Sequence, residues 1–202
     1  MGEVRDGTRS REAIVEAART LTIATGWDGV RMGAVARAAG VSRQTVYNEF
    51  GTKAGLAEAL ARREVDRFVG AVRGLLRAHG DDVRAAAHAT ISHTLTEAVD
   101  DPLIKAVLTS SRGGSDDLLP YLTTRSELVL DEATQVLLEW ADEVLPGADR
   151  DAVAFATDSV VRLVISHIVL PGAPVEQTAT ALADLAVYLL LHAVTQGTLR
   201  TG

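Results

Sequence analysis

Ser42, Arg43, Gln44, Thr45, Tyr47 and Asn48 crowd seven consecutive positions with hydrogen-bonding side chains, interrupted only by Val46. Arginine and glutamine pair bidentately with guanine and adenine edges, so on a helix this run suits readout of a DNA major groove. Little else in the chain offers chemistry. Cysteine is absent, which removes disulfides, thiolate metal sites and a cysteine nucleophile. His88 and His93 are five apart and diverge on a helix, while His79, His167 and His192 are isolated, so no metal-ligand spacing exists. Ser166-His167 carries no local signature of a catalytic triad. Arg112-Gly113-Gly114-Ser115 is too short for a phosphate-cradling loop and follows no strand. We expect no catalytic residue, no metal and no cofactor; the chain does not read as an enzyme.

The elements that must position the polar run are helices. Alanine is abundant, and no β-branched alternation appears between turn signals. A first helix is expected from near Thr8 or Ser10, with Ile14, Ala17, Ala18, Leu21 and Ala24 on one face and Gly26 as its stop. A short helix follows over 31–39. Small Ala36 permits a close crossing, and Gly40 supplies the turn residue that tolerates positive φ. Ser42 is placed to cap the helix 43–50, and Val35, Ala39, Val41 and Val46 tie the two helices together. This is helix-turn-helix grammar. Thr52 is a plausible cap for a long helix from Lys53 to about Ala78. Further helices are expected from Asp81 or Asp82 to Val99, and over 103–109, 118–144, 149–169 and 175–196.

Charge is divided unevenly along the 202 residues. The chain carries −7 in total, yet residues 31–56 hold Arg31, Arg37, Arg43 and Lys53 against Glu49 alone, a local +3. A small basic module is therefore attached to an acidic body, although chance clustering on a solvated helix gives the same count. Aromatics are only 4 %, so the core rests on Ala, Leu and Val. The N-terminus is charged throughout and is not a signal peptide. The longest apolar stretch, 179–194, is interrupted by Asp184 and His192 and reads as too short for a clean membrane span, so no membrane partner is expected.

As a set, Gly26-Trp27, Val35-Ala36, Ala39-Gly40-Val41-Ser42, Thr45-x-Tyr47-x-x-Phe50 and Lys53-x-x-Leu56 resemble the N-terminal DNA-binding domain of the tetracycline-repressor (TetR) family. The resemblance implies an all-α fold. Residues 8–56 would form the helix-turn-helix domain, and residues 57–202 a helical effector-binding and dimerisation domain. It implies a cytoplasmic, ligand-responsive transcriptional regulator, a homodimeric repressor on double-stranded operator DNA. Carried onto this chain, Tyr47 would donate to a backbone phosphate and Lys53 would add charge to another. Ser42, Arg43, Gln44, Thr45 and Asn48 would face base edges or phosphates. Three residues depart from the family pattern. Arg31 replaces a capping Thr and could itself reach a phosphate. Glu49 replaces a His and puts a carboxylate near the DNA face. Thr22 replaces a large aromatic, which predicts a lighter core.

The second domain is less specific. The last helix is apolar on nearly all sides, with Leu182, Leu185, Val187, Leu189, Leu190, Leu191 and Val194. Such a helix must be buried, either within the monomer or against a symmetry mate alongside the helix 152–169. Leu118, Tyr121, Leu122, Leu128, Phe155 and Leu163 are candidates to line an effector pocket, with Arg125 and Arg162 as polar anchors. Arg125 could instead sit on a solvated face, and Arg162 could pair with Asp158 one turn back. Few aromatics favour a hydrophobic, acyl-chain-like effector over a flat cation. A soluble carrier that sequesters such a ligand, with a weak DNA module, is the rival reading.

Overall fold

Glycines set the corners of the first helices. α1 (Gly2–Gly29) is interrupted at Gly26, whose φ of 70° and ψ of 159° leave the helical region. The expected stop at Gly26 is therefore present. The start lies earlier than Thr8 or Ser10, because no proline in the charged N-terminal segment opposes a helix. α2 (Met32–Ala38) closes in a turn where Gly40 takes φ 68° and the Val41 N–H donates to the Ala36 carbonyl at 3.0 Å. α3 (Arg43–Phe50) opens at Ser42, whose Oγ accepts from the Thr45 N–H at 3.0 Å. Beyond Gly51, Thr52 Oγ1 accepts from the Gly55 N–H at 3.1 Å and opens α4 (Lys53–His79). Both hydroxyl caps are the ones the sequence predicts.

The computed structural model describes residues 2–101, Leu103 and 127–201, which divide into two units. The first holds residues 2–66 together with Asp101 and Leu103. By packing it extends ten residues further along α4 than the sequence boundary at residue 56, since Leu60, Ala61 and Val65 are also buried. Its core gathers Ile14, Ala18, Trp27, Val35, Val46, Leu56 and Leu60, and Leu103 joins them at 2 % exposure. Thr22 is fully buried, and its hydroxyl donates to the Ala18 carbonyl at 2.7 Å, so the smaller residue is accommodated without an orphaned polar group.

The α3–α4 corner depends on Gly55. A Cβ there would stand 2.2 Å from the Phe50 carbonyl oxygen, a backbone atom that cannot swing aside. Gly55→Ala is expected to destabilise the chain by about 1–3 kcal/mol, read as a lower urea midpoint at unchanged slope.

The second unit comprises residues 67–100 and 127–201. It holds the rest of α4 with α5 (Val83–Asp100), α6 (Glu127–Val144), α7 (Arg150–Val169) and α8 (Val175–Thr201). The expected helix over 103–109, Leu103 apart, and residues 118–126 of the next one lie outside the described residues. Asp82 accepts from the Ala85 N–H at 2.9 Å to start α5, and Asp149 accepts from Ala152 at 3.0 Å to start α7. α8 packs on α5 and α7, burying Ile91, Leu95, Val164, Ala179, Leu182 and Ala183. An Arg84–Asp184 pair at 2.8 Å joins α5 to α8.

α8 runs to Thr201, beyond the expected end at Gln196. Gly197 is a contact point: a Cβ would lie 2.1 Å from the Gly147 carbonyl oxygen. The apolar stretch 179–194 lies within a longer helical segment, Val175–Gly197, whose 23 residues are long and apolar enough to cross a membrane by length and composition only. In the fold that helix buries Ala179, Leu182, Ala183 and Ala186 on one side and leaves Tyr188 and Leu191 exposed on another. Among the described residues the architecture is all-α.

Candidate nucleic-acid interface

α3 is two-sided. Val46 is fully buried and Phe50 nearly so, while Arg43, Gln44, Tyr47, Asn48 and Glu49 are exposed. The buried pair, four apart, fixes the helix on its unit's core and turns the intervening polar residues outward. Tyr47 is 42 % exposed although aromatic. Gln44 Nε2 donates to Asn48 Oδ1 at 2.7 Å, which aligns the two amides along one side of the helix. Arg43 lies beside α2 at Gly33, where an added Cβ would meet its Nε at 3.2 Å. Ser42 and Thr45 are held in the cap, with their hydroxyl oxygens 2.9 Å apart.

Two of the predicted cations face inward contacts. Lys53 Nζ donates to the Trp27 carbonyl at 2.8 Å and sits 5.1 Å from that residue's ring centroid. It fastens the start of α4 to the corner after α1. Arg31 occupies the N-cap of α2 without a side-chain cap bond. Its guanidinium turns back to the Asp28 and Val30 carbonyls, so the missing Thr cap is replaced by a loop tie.

Glu49, the carboxylate expected near the DNA face, has a partner that sequence reading missed. Arg11 on α1 reaches Glu49 Oε2 at 3.5 Å and the Glu49 carbonyl at 3.4 Å, with its guanidinium 4.7 Å from the Phe50 ring centroid. The partners are 38 positions apart, so no local spacing announces the pair.

Of the expected pocket residues, the structure describes the side chains of Phe155, Leu163 and Arg162. Tyr121, Leu122 and Arg125 lie outside the described residues, as does the side chain of Leu128. Phe155 is 69 % exposed on α7 and Leu163 is also exposed. Arg162 Nε donates to Asp158 at 2.7 Å, and that bond and charge hold the guanidinium pKa above its ordinary value. This is the alternative pairing anticipated for it. A small apolar slot of about 50 Å³, open to solvent, lies elsewhere, lined by Leu95, Val99, His167, Ile168, Pro171 and Val175.

Comparison with known proteins places this geometry. Residues 14–60 match the model of bacterial regulatory proteins of the tetR family, and residues 82–187 match the C-terminal domain of the bacterial tetracyclin repressor. The chain is 34 % identical over 176 residues to the HTH-type transcriptional regulator AlkX of Mycobacterium tuberculosis (strain ATCC 25618 / H37Rv), covering 87 % of this chain and 82 % of that one. It superposes on the crystal structure of the TetR family repressor AlkX from Dietzia sp. strain DQ12-45-1b with a TM-score of 0.71 at 32 % identity, covering 91 % and 96 % of the two chains. A TetR-family regulator from Mesorhizobium loti MAFF303099 shares the fold, with a TM-score of 0.67 at 16 % identity over 91 % and 97 %. The helix-turn-helix on a capped α3 and the helical second unit thus have one explanation: the chain belongs to the TetR family of DNA-binding transcriptional regulators.

Proposed function

We propose that the protein is a homodimeric repressor that α3 docks in the major groove and that a hydrophobic effector releases from its operator. The observation that carries the reading is the outward array on α3, with Arg43, Gln44, Tyr47 and Asn48 exposed over buried Val46 and Phe50. Arg43 and Gln44 supply base-edge contacts and Tyr47 a phosphate contact. Ser42 and Thr45 set the start of the recognition helix through their cap. Lys53 and Arg31 act as positioning residues in the free protein, because each is held on a backbone carbonyl.

Dimerisation is supported by α7 and α8, which pack on each other yet leave large apolar side chains uncovered. A two-fold pairing would present two copies of α3 to successive major grooves of a partly palindromic site. An apolar effector is supported by the Ala-, Leu- and Val-rich second unit and by the Dietzia repressor, which is implicated in biodegradation of n-alkanes. Release then requires the effector to bind more tightly to the state that cannot span both half-sites.

Selection of an operator from randomised duplexes, followed by anisotropy titration of variants, tests the assignment. Arg43→Ala and Gln44→Ala are expected to weaken operator binding by about 1–3 kcal/mol each and to relax preference at single base pairs. Tyr47→Phe is expected to weaken operator and random DNA alike. Unchanged operator binding in all three would remove α3 as the reading element. For the effector, long-chain acyl compounds should displace the operator and polar metabolites of similar mass should not. The reverse preference excludes an apolar ligand.

A further inference from the structure

Glu49 stands on the last turn of α3, exposed on the element proposed to enter the groove, and the proposal that follows rests on that reading. A carboxylate facing a phosphate backbone repels it, yet this one is not alone. Arg11 is drawn from α1 onto the same turn by Glu49 Oε2 at 3.5 Å, by the Glu49 carbonyl at 3.4 Å and by the Phe50 ring at 4.7 Å. The Arg11 side chain is 49 % exposed and that of Glu49 34 %, so both charged groups meet solvent. Two of the three contacts do not involve the carboxylate. The carbonyl and the ring would hold the guanidinium in place if the Glu49 charge were removed.

We propose that Arg11 is a latent phosphate-binding residue at the edge of the DNA interface, and that Glu49 is its built-in competitor. While paired, the two present no net charge to the DNA. Phosphate must displace or share the guanidinium against a carboxylate already in contact with it. The consequence is lower affinity for DNA of any sequence, which leaves discrimination to the base-edge contacts of Arg43 and Gln44. A solvated pair of this kind holds its partners weakly, so the competition is reversible.

Glu49→Gln keeps the shape of the side chain and removes its charge. Binding of the full-length protein to a random duplex and to the selected operator is measured by anisotropy between 50 and 200 mM potassium chloride, the range over which counter-ion release is resolved. Glu49→Gln is expected to tighten both at low salt and to steepen the log–log salt slope by about 0.9, one added phosphate contact. Arg11→Met in the Glu49→Gln background should cancel both changes. An unchanged slope in Glu49→Gln overturns the proposal, as does a gain that survives Arg11→Met. Loss of operator affinity alone shows Glu49 to be a base reader and also overturns it. Failure of α3 as the reading element is seen separately, as an Arg43→Ala and Gln44→Ala pair that binds the operator like the unsubstituted protein.

Discussion

Arg19→Met is expected to lower the stability of the chain by about 3–5 kcal/mol, the cost of breaking a buried ion pair from one side. Arg19 reaches two carboxylates that are themselves buried. Its Nε donates to Glu64 Oε1 at 3.0 Å, and its Nη2 lies 3.7 Å from Asp101 Oδ2. Glu64 is 8 % exposed and Asp101 7 %. The second oxygen of Asp101 accepts the Leu103 N–H at 2.7 Å, which ties the ion pair to a residue in the core of the first unit. Methionine fills the space of the side chain and leaves both carboxylates without the guanidinium. Arg19→Lys should fall between, since one ammonium lacks the fork that serves two acceptors. By contrast, Arg62→Met should cost little, because its contact with Glu58 is 3.9 Å long and more than half exposed at both ends. The check is urea unfolding of the three variants. An unfolding free energy for Arg19→Met within about 1 kcal/mol of that of the unsubstituted protein means that these contacts carry no net stability.

Much of the first unit was legible because its signals are local. Gly26 and Gly40 have to adopt positive φ, Ser42 and Thr52 have to cap, and each acts within four residues of its own position. The outward polar side of α3 follows from the spacing of Val46 and Phe50. What the sequence left hidden is pairing between elements. Arg11 with Glu49, Arg19 with Glu64 and Lys53 with Trp27 are separated by 26 to 45 positions, and only the fold brings them together. The same limit explains Lys53. Its type and place suit a phosphate contact, but whether a flexible cation points outward depends on which carbonyl the fold offers it. In the second unit, periodicity located the helices without showing which apolar side faces the core. Periodicity thus names Phe155 as a pocket candidate but does not show that it is exposed on α7.

That exposure leads to the other large expected effect. Tyr188 and Leu191 are 71 % and 61 % exposed, three apart on α8, and Phe155 is 69 % exposed on the adjacent α7. Burying them within this chain would require α8 to rotate and to expose Ala179, Leu182 and Ala183 in exchange, so a second copy is the economical cover. In a two-fold interface every substitution counts twice. If Leu191 contributes about 2 kcal/mol as an interface anchor, Leu191→Asp should weaken the dimer by about 4 kcal/mol, close to a thousandfold in dissociation constant. Sedimentation over a concentration series should then show monomer at concentrations where the unsubstituted protein is expected to sediment as a dimer. Operator affinity should drop as well, since one copy of α3 reads only a half-site. Binding to a single half-site should be nearly unaffected, because Leu191 and α1–α3 belong to different units. A variant that stays dimeric would place the interface elsewhere. One that is monomeric yet binds the full operator normally would separate dimerisation from recognition, and the paired-groove reading would fall with it.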